Sequence, residues 1–216
     1  MEYTSDVAFT ESVKAVQRER GSRSSYERVE QTRGGFAKAI TPALAAWIAE
    51  RDSVFLATAS AGGQPYVQHR GGPRGFIKVL DSQTLAFADF TGNRQYITTG
   101  NLAENDQAFL FLMNYADAER IKIWGRARVV TNDEALFRQV ADPAYRARIE
   151  QAIVFDVSAW DANCPQHIPR LVDAAQVEEL VGGLRARTAY LEATLRAANV
   201  PFEPATPRDT TNEETQ

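Results

Sequence analysis

The sequence predicts a mainly β protein with flanking helices: a small closed or split antiparallel barrel of six to seven strands. Three observations carry this. Between Ser53 and Ala88 four short apolar runs follow one another through turns too short to hold a crossover helix, which describes antiparallel pairing and not βαβ units. Two further runs, Gln107–Met113 and Glu119–Val130, and a seventh, Ala152–Val157, have strand length and strand composition. The helical stretches surround these runs and do not alternate with them, as in small barrels wrapped by a few helices.

Taken in order, residues 1–40 form an N-terminal arm with charges of both signs. A short helix is expected over Ser12–Arg20 and a loop at Gly21–Ser25, with no apolar pattern of its own, so the arm should drape over something larger. Thr41-Pro42 supplies an N-cap followed by proline at the first helical position, and Leu44, Trp47 and Ile48 recur at helical spacing, predicting a helix over 42–51. The domain proper is expected over 41–172. Its first strands are Val54–Thr58, Pro65–Arg70 after an Ala61–Gln64 hairpin turn, Phe76–Leu80 after a Gly71–Gly75 loop, and Thr84–Ala88, read together as a meander. A helix over Gln95–Ala103 precedes the fifth and sixth strands, and a polar, helix-prone connection over Asn132–Arg148 precedes the seventh. A C-terminal helix is expected over 173–200, with Val177, Leu180, Val181, Leu184, Leu191 and Leu195 on a broad apolar face interrupted at Gly182-Gly183. The Pro-, Thr- and Glu-rich tail, 201–216, is expected to be disordered.

Composition narrows the function classes. The chain has 216 residues, 44% apolar and 24% charged, ordinary values for a globular protein of one decorated domain or two small ones. A formal charge of −4 disfavours a general nucleic-acid binder. The single cysteine, Cys164, leaves no intramolecular disulfide and no cysteine-built zinc site, and two histidines, His69 and His167, are too few for a histidine-built metal centre. No run approaches the roughly 18 apolar residues of a membrane span, and no signal-peptide pattern opens the chain. A cytoplasmic protein that engages neither membrane nor nucleic acid is expected. Walker A, Gly-x-Gly-x-x-Gly, His-Glu-x-x-His and Gly-x-Ser-x-Gly patterns are all absent.

The chemistry-bearing stretch is Phe87-Ala-Asp-Phe-Thr-Gly-Asn-Arg-Gln95, an apolar strand leaving through a Thr-Gly-Asn turn with Arg94 where a helix begins. Free N–H groups at a helix start and the positive end of its dipole favour an anion, and an adjacent Arg adds charge-assisted contacts. A solvated turn with a surface arginine is the plainer alternative. His69-Arg70 ends the second strand, either as an edge pair or as a pocket rim. Lys78 and Lys122 sit in apolar strands, where alternation alone would place them on the solvent face. Cys164 and His167 suggest a thiolate–imidazole pair that lacks a third orienting group.

Five segments together resemble the flavin-binding split-barrel family typified by pyridoxamine 5′-phosphate oxidase. They are Val54-Phe-Leu-Ala-Thr58, Gly63-Gln-Pro-Tyr-Val-Gln-His-Arg70, Phe87 to Arg94, Arg120-Ile-Lys-Ile-Trp-Gly125, and Trp160 with Arg170 ten residues on. The likeness spans about residues 40–172, and Asn163-Cys-Pro-Gln-His-Ile168 resembles a signature of one branch. The resemblance implies FMN held at a homodimer interface. By position, Asn93 and Arg94 would bind the phosphate, with Gln95 standing where relatives often have lysine. Gln68, His69 and Arg70 would border the isoalloxazine ring, largely through backbone groups. Lys78 would reach the flavin or its phosphate, and Asp89 stands where the oxidases often have threonine. Lys122, Trp160 and Arg170 would come from the partner subunit.

An FMN also needs cationic donors at one end and apolar walls at the other. Arg94, Arg70 and Lys78 are candidates for the first, and Phe76, Phe87, Trp124 and Trp160 for the second. The implied function is an FMN-dependent oxidoreductase passing two electrons between a small molecule and flavin. Oxidation of pyridoxamine phosphate itself is disfavoured, because Pro165-Gln-His-Ile-Pro-Arg170 lacks the Arg-x-His pair of that enzyme. The alternatives are a flavin carrier or redox sensor without turnover, a split barrel holding haem or a deazaflavin, and a dimeric scaffold whose C-terminal helix recruits another protein.

Overall fold

The computed structural model describes residues 2–162 and 165–203. Strands form where the apolar runs predict them: β1 (Ser53–Ala59), β2 (Pro65–Gly71), β3 (Lys78–Asp81), β4 (Thr84–Phe90), β5 (Gln107–Asn114), β6 (Glu119–Val130) and β7 (Ile149–Ala162). They make one seven-stranded sheet in the order β2-β1-β5-β6-β7-β4-β3, antiparallel at every pairing. The expected meander is incorrect. β2 and β3 do not pair but lie at opposite edges of the sheet, each in its own hairpin. The cause lies in Phe76 and Ile77, which were expected to open β3. Both are buried ahead of it, so the chain between the hairpins passes through the core and does not turn back on β2.

Two side chains show how far the sheet curls. Arg70 in β2 and Asp89 in β4 lie five strands apart in the sheet order, about 24 Å if the sheet were flat. Yet they form an ion pair. The sheet therefore wraps into a barrel in which edge strand β2 meets β4 through side chains and not through a ladder, which is a split barrel. Its interior is filled by Leu56, Leu85, Phe87, Leu110, Ile123, Ile153 and Phe155, all fully buried. Helix α3 (Pro42–Ala49) adds Leu44 and Ile48 to this core, started by Thr41, whose Oγ1 accepts the Leu44 N–H at 3.1 Å. α4 (Ile97–Glu104) packs on β1, β2 and β6. α5 (Glu134–Val140) covers the outer side of β4 and β7 through Leu136 and Val140. β4 is buried on both faces for that reason, and so reads as a continuous apolar run.

β6 and β7 slip register between Trp124 and Gly125. A Cβ on Gly125 would stand 2.2 Å from the Asp156 carbonyl oxygen, so only glycine passes at this bulge.

The arm holds more structure than its sequence implied. A 3₁₀ turn at Thr4–Val7 leads to α1 (Glu11–Glu19) and α2 (Arg23–Arg33); the second begins inside the Gly21–Ser25 stretch expected to be a loop and runs on where no element was expected. Its buried residues are Arg23 and Glu30, which pair with each other. Gln17 accepts from Arg23 Nη1 at 2.9 Å, and Ser5 Oγ donates to Glu30 at 2.9 Å. A helix whose inner face is ionic shows no apolar period. The arm reaches the barrel through rings: Phe9 meets Phe36 edge-on at 5.1 Å, and Phe36 stacks on Trp124 at 5.2 Å.

The chain divides after Arg170. The second unit contains α6 (Ala174–Ala197), which runs through Gly182-Gly183 without a break. Asp173 caps its start by accepting the Ala175 N–H. Asn199, at φ +53°, ends it, with the Asn199 and Val200 N–H groups returning to the Arg196 and Leu195 carbonyls, a Schellman closure. The tail expected to be disordered lies outside the described residues from 204 onward.

Candidate functional site

A polar cleft of about 220 Å³ lies at the split, between β2, the end of β4, the loop after it and the start of α4. Alternation in β2 turns Tyr66, Gln68 and Arg70 towards it and His69 away. The His69 ring is exposed on the outer face, edge-on to Phe55 at 5.6 Å. β4 delivers Asp89 to the floor, and its ladder partner in β7 is Gln151. Gln151 Nε2 donates to Asp89 Oδ2 at 2.8 Å and to Thr99 Oγ1 at 2.9 Å, while Thr98 Oγ1 donates to Gln68 Oε1 at 2.9 Å. Arg70 closes the set through its ion pair with Asp89. β2, β4, β7 and α4 are thus tied by one network, and within it the buried Arg70 Nε has no hydrogen-bond partner among the described residues.

Above this floor runs residues 91–96. Arg94 and Tyr96 both have left-handed backbones, at φ +61° and +52°, and the Gln95 N–H is held by Asn93 Oδ1 at 3.2 Å. Tyr96 is the N-cap of α4 and gives it no side-chain cap. The first N–H groups of the helix have no intrahelical acceptor; Ile97, Thr98 and Thr99, which carry them, line the cleft. Arg94 Nε donates to the Tyr96 hydroxyl at 3.2 Å, and that hydroxyl donates to Glu150 at 2.6 Å. This hydrogen bond, with the Glu150 carboxylate behind it, raises the Arg94 pKa.

Formal charges in the cleft balance, Arg70 and Arg94 against Asp89 and Glu150. What tilts it towards an anion is availability. Asp89 is engaged by Arg70 and Gln151, and Glu150 accepts from Tyr96. The exposed Arg94 guanidinium, the uncapped helix start and the Asn93 and Gln95 amides remain open to a ligand.

Of the residues singled out from sequence, Gln68, Arg70, Asp89, Asn93, Arg94 and Gln95 meet in this cleft. Others lie elsewhere. Lys78 Nζ donates to the Gly75 carbonyl at 2.8 Å. Lys122 pairs with Asp161 at 2.9 Å and lies 5.1 Å over the Trp124 ring. Trp160 Nε1 donates to the Ala39 carbonyl at 2.9 Å. Arg170 is exposed, with no partner among the described residues. Phe76 and Phe87, offered as ring walls, instead pack edge-on against each other in the core at 6.0 Å, because both point into the barrel. Cys164 and the start of the Asn163–Ile168 signature lie outside the described residues. Tyr66, Thr98, Thr99, Glu150 and Gln151 were missed. Nothing local marks Gln151 or Glu150, which β7 brings in from far along the chain. The alternation that selected Gln68 and Arg70 would have selected Tyr66 as well.

The match to known families settles the kinship. The model described as Pyridoxamine 5′-phosphate oxidase matches residues 40–171. The chain belongs to this family. No curated protein matches it. Among solved structures similar to this family member, HupZ of Group A Streptococcus is 17% identical, over 62% of this chain and 99% of that one, with a TM-score of 0.45. An FMN-binding protein from Syntrophomonas wolfei is 16% identical over 73% and 98%, with a TM-score of 0.44. HutZ, a heme storage protein from Vibrio cholerae, is 15% identical over 55% and 90%, with a TM-score of 0.38. Scores this low bear on neither ligand nor activity.

Proposed function

We propose that this family member binds FMN with the phosphate at the α4 N-terminus and acts as an FMN-dependent oxidoreductase on a small molecule. The observation that carries this reading is the uncapped start of α4 set between Arg94 and Arg70. The donor set fits a phosphate: backbone N–H groups at a helix N-terminus, the Thr99 hydroxyl, the Asn93 and Gln95 side-chain amides and the outer nitrogens of the Arg94 guanidinium. The unpartnered Arg70 Nε is a further donor awaiting an acceptor. Gln68 and Tyr66 would border the ribityl chain and ring, and Arg70, neutralised by Asp89, would hold them in place.

Bound flavin would supply the redox chemistry by taking and returning two electrons. The residues named here bind and orient it. A cleft of about 220 Å³ falls below the roughly 300–1,000 Å³ of a site that encloses a cofactor-sized ligand. That shortfall supports a ring bordered by a second subunit, in which Lys122, Trp160 and Arg170 of a homodimer partner would complete the site.

The test is the absorption spectrum of the purified protein, with the released chromophore identified by mass. Flavin bands and the mass of FMN are the expected result, followed by bleaching under NADH or NADPH. Bound FMN that no nicotinamide reduces would make the protein a carrier or sensor. A haem or deazaflavin mass, or a colourless protein that refuses added FMN, would remove the reading.

A further inference from the structure

α6 shows a seam that the barrel's chemistry does not use. Val177, Val181, Leu184, Thr188, Leu191, Leu195 and Ala198 recur at alternating steps of four and three, the a/d pattern of roughly three heptads. The helix continues unbroken through this stretch and has no buried residue; Leu184 is 61% exposed, and Val177 and Leu191 are each 44% exposed. Gly182 and Gly183, which weaken a helix locally, fall at the outward b and c positions and leave the seam continuous.

We propose that α6 pairs with α6 of a second copy of this chain as a parallel two-stranded coiled coil. Side-chain shape and charge select this occupant. Two of the three a positions, Val181 and Thr188, are β-branched, and two of the central d positions, Leu184 and Leu191, are leucine, the distribution that favours two parallel strands. Thr188 Oγ1 donates to its own Leu184 carbonyl at 3.0 Å, so it enters the seam with its donor satisfied.

The flanking charges suit this orientation. In a parallel pair each Arg187 at g faces Glu192 at e of the other helix. Leu180 faces Arg185 and Thr194 faces Asn199, neither pair carrying a repulsion. Asp173, one heptad earlier and at g opposite Glu178, lies outside the helix with its carboxylate committed to the cap. The antiparallel register that sets Val177 against Leu195 would place Arg187 against Arg187, Arg185 against Arg185 and Glu178 against Glu192, repulsive at every charged position. At about 32 Å the seam is short, and any further contact between the two copies would strengthen it through effective concentration. The pairing stands whether or not the barrel holds FMN.

Disulfide trapping of the full-length chain in a Cys164→Ser background tests it. Val177→Cys alone and Leu195→Cys alone should each give a covalent dimer under mild oxidation, since equivalent seam residues adjoin only in a parallel pair in register. Ala186→Cys, at the outward f position, should give at least tenfold less. Linkage confined to a mixture of the Val177→Cys and Leu195→Cys proteins would show an antiparallel pair and overturn the proposal. Absence of linkage at both seam positions, or equal linkage at Ala186→Cys, would overturn it as well. Because α6 has no buried residue, these variants should fold as the parent does, which circular dichroism of the reduced proteins checks.

Discussion

At Arg94 a left-handed backbone and an exposed guanidinium coincide. The φ of +61° carries a Cβ penalty, and the next residue but one, Tyr96, carries another at +52°. Two such residues in three steps aim the loop so that Arg94 and the bare α4 N-terminus address the same space. Arg94→Ala removes the charge without relaxing the backbone, and should lower FMN affinity by about ten- to a hundredfold, the value of one charged hydrogen bond to phosphate. Fluorescence titration of apoprotein with FMN measures it, and parent-like affinity would remove Arg94 from the phosphate site. Asn93, Arg94 and Gln95 were legible in sequence because Thr91-Gly92-Asn93 marks a turn. Gln151 and Thr99 were not, since the contacts of Gln151 with Thr99 and with Asp89 exist only after β7 pairs with β4.

Elements of this protein are legible in proportion to how apolar their buried faces are. α3 presents Leu44 and Ile48 to the core, and its Thr-Pro start is visible in the chain. α2 buries Arg23 and Glu30 instead. Removing the Glu30 charge leaves the buried Arg23 only the half-exposed Glu27, at 3.1 Å, as a counter-ion. Glu30→Gln should therefore cost about 3 kcal/mol within the arm. Amide exchange is the measurement: protection should fall across α1 and α2 and stay unchanged in β5 and β6. Equal loss throughout would mean that the arm and barrel unfold as one. β3 was placed early in the sequence by two residues for the converse reason, since Phe76 and Ile77 are apolar and buried yet belong to no ladder.

At the scale of the whole molecule, the chain divides into two units after Arg170, and each is held by its own contacts. Truncation there should leave the urea midpoint of the barrel within about 0.3 M of the full chain, a change of under about 1 kcal/mol at ordinary slopes. It should also lower the self-association measured by sedimentation, because it removes the α6 seam. A barrel that no longer folds would show that the second unit supports it.

The sequence by itself determined where the strands lie, their antiparallel sense, the Thr91-Gly92-Asn93 turn and the heptad spacing of α6. All of these are local: each depends on residue types within about one turn or one strand. Tertiary structure decided which strands neighbour which and what lies on either side of the cleft. The order β2-β1-β5-β6-β7-β4-β3 separates the two hairpins that adjoin in the chain, and the curl of the sheet brings Arg70 back to Asp89 across the split. The physical reason is that side-chain period specifies the face a residue occupies. The choice of neighbour is left to the packing of Phe76, Phe87 and the rest of the core, and no short stretch contains that information.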